Sequence, residues 1–139
     1  MAKLGREPSS PWHYMRQRTI ATATSYFWRF YLKDSFIDHE PTAIAVVCVS
    51  LASKVEENPI HDHGKLLHLA KKLSECIYSA EIALPESQLL ALELQVLEEL
   101  GCNLSIFDPY TPLQNYLNDV SSTEVLKLAW GSLNDSLVR

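Results

Sequence analysis

At 139 residues the chain has the length of one compact domain, or of one domain and a fragment of a second, and it can bury roughly two thirds of its unfolded surface. Hydrophobic residues at 47% and charged residues at 21% exclude a chain disordered by composition. The 17 acidic and 12 basic residues leave a net charge of −5, and nothing in this balance supplies the strongly basic face that nucleic-acid binding usually requires. The longest apolar run, Ala43 to Val49, is broken by Ser50, Ser53 and Lys54 and falls far short of a membrane span. The opening MAKLGREPSSP is polar, with two prolines, and does not read as a signal peptide. Cys48, Cys76 and Cys102 form no CxxC pair and read as reduced intracellular thiols.

With four glycines, no Asn-Gly or Asp-Gly hairpin turn and no long polar–apolar alternation, the chain reads as all-α. The first helix is predicted from Trp12 to Lys33, with Ile20, Ala23, Phe27, Phe30 and Tyr31 on its apolar face. Arg18, Thr22, Ser25, Arg29 and Lys33 form its polar face. The second, Pro41 to Glu57, differs in kind. Ile44, Ala45, Val46, Val47, Cys48, Val49, Leu51 and Ala52 surround its axis, and a helix apolar all round is buried all round. It is therefore expected at the centre, touching helices around Phe27, Leu69 and Leu97, with Asn58-Pro59 as its stop.

A third helix is predicted from Gly64 to Tyr78 on the stripe Leu66, Leu69, Ala70, Leu73 and Ile77. A fourth runs from Glu86 to Leu100, between Pro85 and a C′ residue, Gly101. Asp108-Pro109 opens a short helix carrying Tyr110, Leu113, Tyr116 and Leu117. Ser121-Ser122-Thr123-Glu124 has capping-box spacing and starts a last helix with Val125, Leu128, Ala129, Leu133 and Leu137.

Catalytic and metal constellations are weak. His61-Asp62-His63 with His68 lacks a fourth ligand and reads as a polar interhelical loop. No Gly-rich phosphate loop, no GxSxG and no histidine-activated cysteine is present, so no catalytic residue, metal or cofactor is expected. Asn103-Leu104-Ser105 and Asn134-Asp135-Ser136 have sequon spacing without expected glycosylation. Trp28 and Trp130 read as packing residues.

Two charged residues stand out. Lys54 continues the line Ile44, Val47, Leu51 near the end of the most apolar helix. Glu93 falls inside the stripe Leu89, Val96, Leu97, where a carboxylate needs a partner. One reading has Lys54 supporting the C-terminal carbonyls and Glu93 at the stripe's margin. The other is a charge pair presented to a partner protein.

Met15-Arg16-Gln17-Arg18-Thr19-Ile20-Ala21-Thr22-Ala23-Thr24, followed by Tyr26-Phe27 and Arg29-Phe30-Tyr31, resembles the second helix of the cyclin box, most closely that of the C-type cyclins of transcription. Leu51-Ala52-Ser53-Lys54-Val55-Glu56-Glu57 resembles the end of the box's central helix, and Glu93 to Leu104 its fifth helix. Pro109-Tyr110-Thr111-Pro112-Leu113 resembles the segment after the first box, and Leu128-Ala129-Trp130 with Asn134-Asp135 the opening helix of the second.

The resemblance, over roughly Trp12 to Arg139, implies an all-α cyclin-box bundle around a central buried helix, lacking the family's first helix and nearly all of the second box. It implies a partial N-terminal box at 12–104, an inter-box linker at 105–120 and a first-helix stub of a second box at 121–139. The last helix is expected either to dock back on the bundle or to project free. The implied function is that of a non-catalytic regulatory subunit in the nucleus. Such a subunit binds a cyclin-dependent kinase of the Mediator type, alongside other subunits of the Mediator kinase module, and regulates RNA polymerase II transcription. Lys54, Glu93 and Glu57 are the implied kinase-contacting residues. Neither direct nucleic-acid binding nor membrane association is expected. The alternatives are a TFIIB-like or other cyclin-box adaptor, which a basic face would favour, and a truncated isoform without kinase-activating ability.

Overall fold

The computed structural model describes residues 15–57, 64, 66–68, 71, 75, 85–118 and 123–138, and among these every regular element is helical. Helix α1 spans Gln17–Tyr31. It starts later than the periodicity predicts, because Met15 and Arg16 are not helical; Trp12 lies outside the described residues. At its far end the Leu32 N–H returns to the Trp28 carbonyl at 3.0 Å, and Arg29 in the last turn complements the helix dipole.

The buried face of α1 is Thr19, Thr22, Ala23, Tyr26 and Phe30, while Ile20 and Phe27 are only half-buried. This corrects the expected face. Thr22, placed there among the solvated residues, is 3% exposed, and Tyr26, outside the expected stripe, is fully buried. Small Thr19, Thr22 and Ala23 and the two rings of Tyr26 and Phe30 make up the face that α1 buries. Tyr26 reconciles its hydroxyl with burial by donating to the Leu104 carbonyl at 2.8 Å.

Helix α2 spans Pro41–Val55 and follows α1 as an antiparallel neighbour. Pro41 stands at its first position, and the Glu40 carboxylate accepts from the Ala43 N–H at 2.7 Å. Ten of its 15 residues are buried, on all sides of the axis, as its unbroken apolar circumference predicts. Val46 is 3% exposed and Val49 packs half-buried on the core, so α2 is the central helix. Phe27 and Leu97 pack on this core from α1 and from the following helix; Leu69 lies outside the described residues. The helix ends two residues earlier than expected. Glu56 is its C-cap and Glu57 turns left-handed with φ +51°. The Asn58-Pro59 stop lies outside the described residues.

Positions 64, 66–68, 71 and 75 are helical, within the segment predicted from Gly64 to Tyr78. Leu66 is buried against the core at 2% exposure; Leu73 and Ile77 of that stripe lie outside the described residues. Helix α3 spans Glu86–Glu99, packs on α2 and buries Leu89 and Val96, with its C-cap residue Leu100 buried beyond them. It closes as a Schellman turn. The Gly101 N–H reaches the Glu98 carbonyl at 2.8 Å and the Cys102 N–H reaches Leu97 at 3.0 Å, with Gly101 at φ +62°. Beyond it, Arg29 of α1 donates to the carbonyls of Asn103 and Ser105, and Lys33 to that of Glu99.

Helix α4 spans Tyr110–Asn118, inside the segment expected to link two boxes, and α5 spans Thr123–Val138. The Ser121-Ser122 capping pair lies outside the described residues. Of the two expected arrangements for the last helix, α5 takes the docked one. Asn134 Oδ1 accepts from Gln17 Nε2 and from the Tyr110 hydroxyl, both at 2.9 Å, and Trp130 stacks on Tyr110 at 4.8 Å. Docking leaves Leu128 73% exposed and Val125 43% exposed, so only part of the apolar face of α5 is covered.

Two substitutions test the central helix. Ile44→Ala, at a residue 1% exposed, is expected to cost about 2–5 kcal/mol of folding free energy in denaturant titration. Leu32→Ala, at 83% exposure, is expected to change it by less than about 0.5 kcal/mol.

Candidate functional site

Among the residues of α2 the exposed ones come only at its C-terminal end, where Lys54 and Val55 are followed by Glu56 and Glu57. Lys54 Nζ lies 2.5 Å from Glu93 Oε1 of α3. The pair is asymmetric: the lysine side chain is 46% exposed and the glutamate 14%. The packing of α2 on α3 brings the two turns together, and a cation in the last turn also suits the helix dipole. Glu93 thus sits at the margin of its apolar stripe with its charge compensated.

The pair stands in an apolar frame. Val55 follows Lys54, while Leu90 and Leu94 lie within one turn of Glu93, and these three are 39%, 55% and 58% exposed. The core-facing side of α3 is already supplied by Leu89, Val96 and Leu100, so Leu90 and Leu94 are surplus to the chain's own packing. Glu57 is exposed beside them, its N–H bonded to the Lys54 carbonyl at 3.3 Å.

Sequence reasoning missed Glu56. Its carboxylate takes the Thr22 hydroxyl at 2.8 Å on Oε1 and Arg18 Nε at 2.8 Å on Oε2. Arg18 Nε also lies 3.7 Å from Asp108 Oδ2. Asp108 in turn accepts from the Tyr110 N–H at 2.9 Å and the Thr111 hydroxyl at 2.6 Å, an Asx turn that starts α4. Burial pushes the Asp108 carboxyl upward, but the bonds from Thr111 and Tyr110 and the charge of Arg18 outweigh it and hold the group below the usual aspartate range. The available signal was the placement of Arg18 and Thr22 one helical turn apart on one face.

His68 is exposed, His61 to His63 lie outside the described residues, and among the described residues no cluster of three or more metal-ligating side chains occurs. His39 Nε2 sits 3.5 Å from Asp34 and 3.2 Å from Gln95 Nε2, in the loop between α1 and α2. Cys48 is free and buried, its thiol pushed up to about 12 by burial, which keeps it protonated and inert. Cys102 is free and exposed; Cys76 lies outside the described residues. Trp130 packs on Tyr110, and Trp28 meets Phe27 edge-on at 5.9 Å while remaining 47% exposed.

The family model of the cyclin N-terminal domain matches residues 13–105, which include α1, α2, α3 and both members of the ion pair. The chain belongs to the cyclin family, and its likeness lies with the C-type members. It is 34% identical over 122 residues to Cyclin-C1-1 of Oryza sativa subsp. japonica and 35% identical over 128 residues to Cyclin-C of Drosophila melanogaster. It is 34% identical over 124 residues to Cyclin-C1-2 of Arabidopsis thaliana. Each comparison covers 88% of this chain but only 46%, 48% and 47% of those proteins, so the chain spans about half the length of the curated relatives it matches.

Two outcomes follow from the local geometry. A left-handed glutamate costs about 1–2 kcal/mol, which glycine avoids at some cost in chain entropy, so Glu57→Gly is expected to stabilise the fold by about 0.5–1 kcal/mol. Asp108→Ala is expected to destabilise it by about 1 kcal/mol at neutral pH. Because the folded-state pKa of Asp108 is depressed, its contribution is present above the usual aspartate range and lost as pH falls through the lowered value. The difference between Asp108→Ala and the parent should therefore shrink on acid titration, followed by circular dichroism.

Proposed function

We propose that the chain acts as a cyclin-type regulatory subunit that docks on a cyclin-dependent kinase through the C-terminal end of α2 and the facing turns of α3. The observation that carries this reading is the Lys54–Glu93 pair, bridging the most buried helix and its neighbour within a frame of exposed Val55, Leu90 and Leu94. A partner helix laid across this face buries the three apolar side chains, while Lys54 and Glu93 meet its unpaired backbone groups. Glu57 is the third contacting residue. Held this way, the kinase's mobile C-helix is pressed inward, completing the kinase's lysine–glutamate ion pair and ordering its activation loop.

The C-type likeness supports a kinase of the Mediator type, with the other kinase-module subunits as further partners, and action in the nucleus on RNA polymerase II transcription. The net charge of −5 supports this reading over a nucleic-acid-binding, TFIIB-like adaptor. The subunit's own contribution is surface and electrostatics, with the chemistry left to the kinase.

Lys54→Ala and Glu93→Ala are each expected to weaken affinity for a Mediator-type cyclin-dependent kinase by about 2–5 kcal/mol, since each leaves desolvated kinase groups unpaired. Glu93→Ala should cost folding less than about 1 kcal/mol, because the lysine left behind is half in water, whereas Lys54→Ala should cost about 1–3 kcal/mol, because it leaves the largely buried Glu93 unpaired. The exchanged double variant Lys54→Glu/Glu93→Lys keeps an intramolecular pair and should still fail to bind. Lys127→Ala on α5, at an exposed position, should bind like the parent. If Lys54→Ala and Glu93→Ala bind normally, or lose binding only in step with melting temperature, the docking assignment is wrong.

A further inference from the structure

We infer that Arg18 is a positioning residue for the docking end of α2, acting through Glu56; the inference rests on the docking reading above. The last turn of a helix leaves its final carbonyls without intrahelical partners and frays unless something outside holds it. In α2 that turn is held from two directions. On one side Glu93 of α3 takes Lys54. On the other, both carboxylate oxygens of the C-cap residue Glu56 are occupied by α1, one by the Thr22 hydroxyl and one by Arg18 Nε. Glu56 is thereby fixed at side chain and backbone together, since its N–H also closes on the Ala52 carbonyl at 2.9 Å.

What this brace orders is Glu57. A glutamate at φ +51° occupies a conformation that L side chains leave unless their neighbours impose it. Among the described residues, Glu57 is tied back by its N–H to the Lys54 carbonyl at 3.3 Å, and the residue before it is the one held by α1, so the brace on Glu56 sets the turn from which Glu57 departs. Arg18 is 56% exposed and Glu56 14%, so the brace is anchored at the carboxylate and reached from the surface. The same guanidinium lies 3.7 Å from Asp108, which places the start of α4 and the end of α2 on one cation.

The test uses the full chain, with two readouts: amide hydrogen exchange at Val55, Glu56 and Glu57, and affinity for a Mediator-type cyclin-dependent kinase. Arg18→Gln, at a mostly exposed position that the fold tolerates, is expected to raise exchange at these three amides and to weaken binding about 3- to 30-fold. Glu56→Gln should do the same, and the double variant should lose no more than the worse single one, because the two residues act as a unit. Arg18→Lys, which keeps the charge, should recover part of both readouts. Additive losses would mean that Arg18 or Glu56 contacts the kinase itself and would overturn the positioning role. So would lost affinity with unchanged exchange. Unchanged exchange in Arg18→Gln overturns the brace whatever Lys54→Ala does. Raised exchange with Lys54→Ala binding normally keeps the brace and overturns the docking reading.

Discussion

The burial of α2 on every side is the constraint from which the rest of the molecule follows. Val47, Cys48 and Ala52 are essentially inaccessible, and Ile44, Val46 and Leu51 extend the buried surface around the axis, leaving only the half-buried line of Pro41, Ala45 and Val49. Such a segment is stable only when enclosed, so α1, α3 and the helix around Leu66 are recruited about it. Polar groups within it must be satisfied locally: the Ser53 hydroxyl donates to the Ser50 carbonyl at 2.7 Å. Charge is admitted only at the two ends. At the start Glu40 caps the helix, and at the end Lys54, Glu56 and Glu57 gather within four residues. The proposed docking face lies where the buried helix first meets solvent, because there Lys54 can keep its charge half in water while compensating Glu93.

The turn that carries this face is gripped by three elements. Glu93 of α3 holds Lys54, Arg18 and Thr22 of α1 hold Glu56, and Arg18 reaches on to Asp108 at the head of α4. A second polar knot lies near the N-terminal end of α1, where Gln17, Tyr110 and Asn134 share hydrogen bonds beneath the Tyr110–Trp130 stack. Gln17 and Arg18 are adjacent, so the first turn of α1 touches the end of α2, the start of α4 and the docked α5. That single turn connects the candidate docking site to the last helix of the chain.

How far the sequence reveals this depends on whether a feature is local. The all-round apolarity of α2 is a local pattern, and it located the central helix. Gly101 as the residue after a helix is equally local, because its left-handed backbone is a property of glycine itself. Glu93 was conspicuous because a carboxylate interrupts an apolar stripe. The buried threonines of α1 were not legible, since Thr19 and Thr22 count as polar in any periodicity, and only the close approach of α2 makes them interior. The end of α2 was misplaced for a similar reason: Glu56 and Glu57 are ordinary helix formers, and their departure reflects bonds from α1. The pairings Thr22–Glu56 and Gln17–Asn134 are separated by 34 and 117 positions, and such contacts follow from tertiary packing alone. The docking of α5 through an asparagine and a tryptophan, with Leu128 left outside, inverts what its apolar residues suggest.

The central claim is that the C-terminal end of α2 and the outer face of α3 meet the kinase. Methyl resonances of the full chain, followed while a Mediator-type cyclin-dependent kinase is titrated in, test it most directly. Val55, Leu90 and Leu94 are exposed in the free chain and should shift or broaden together on binding, while Val125 and Leu128 of α5 stay where they were. Perturbation confined to Val125 and Leu128, with Val55, Leu90 and Leu94 unmoved, would contradict the account.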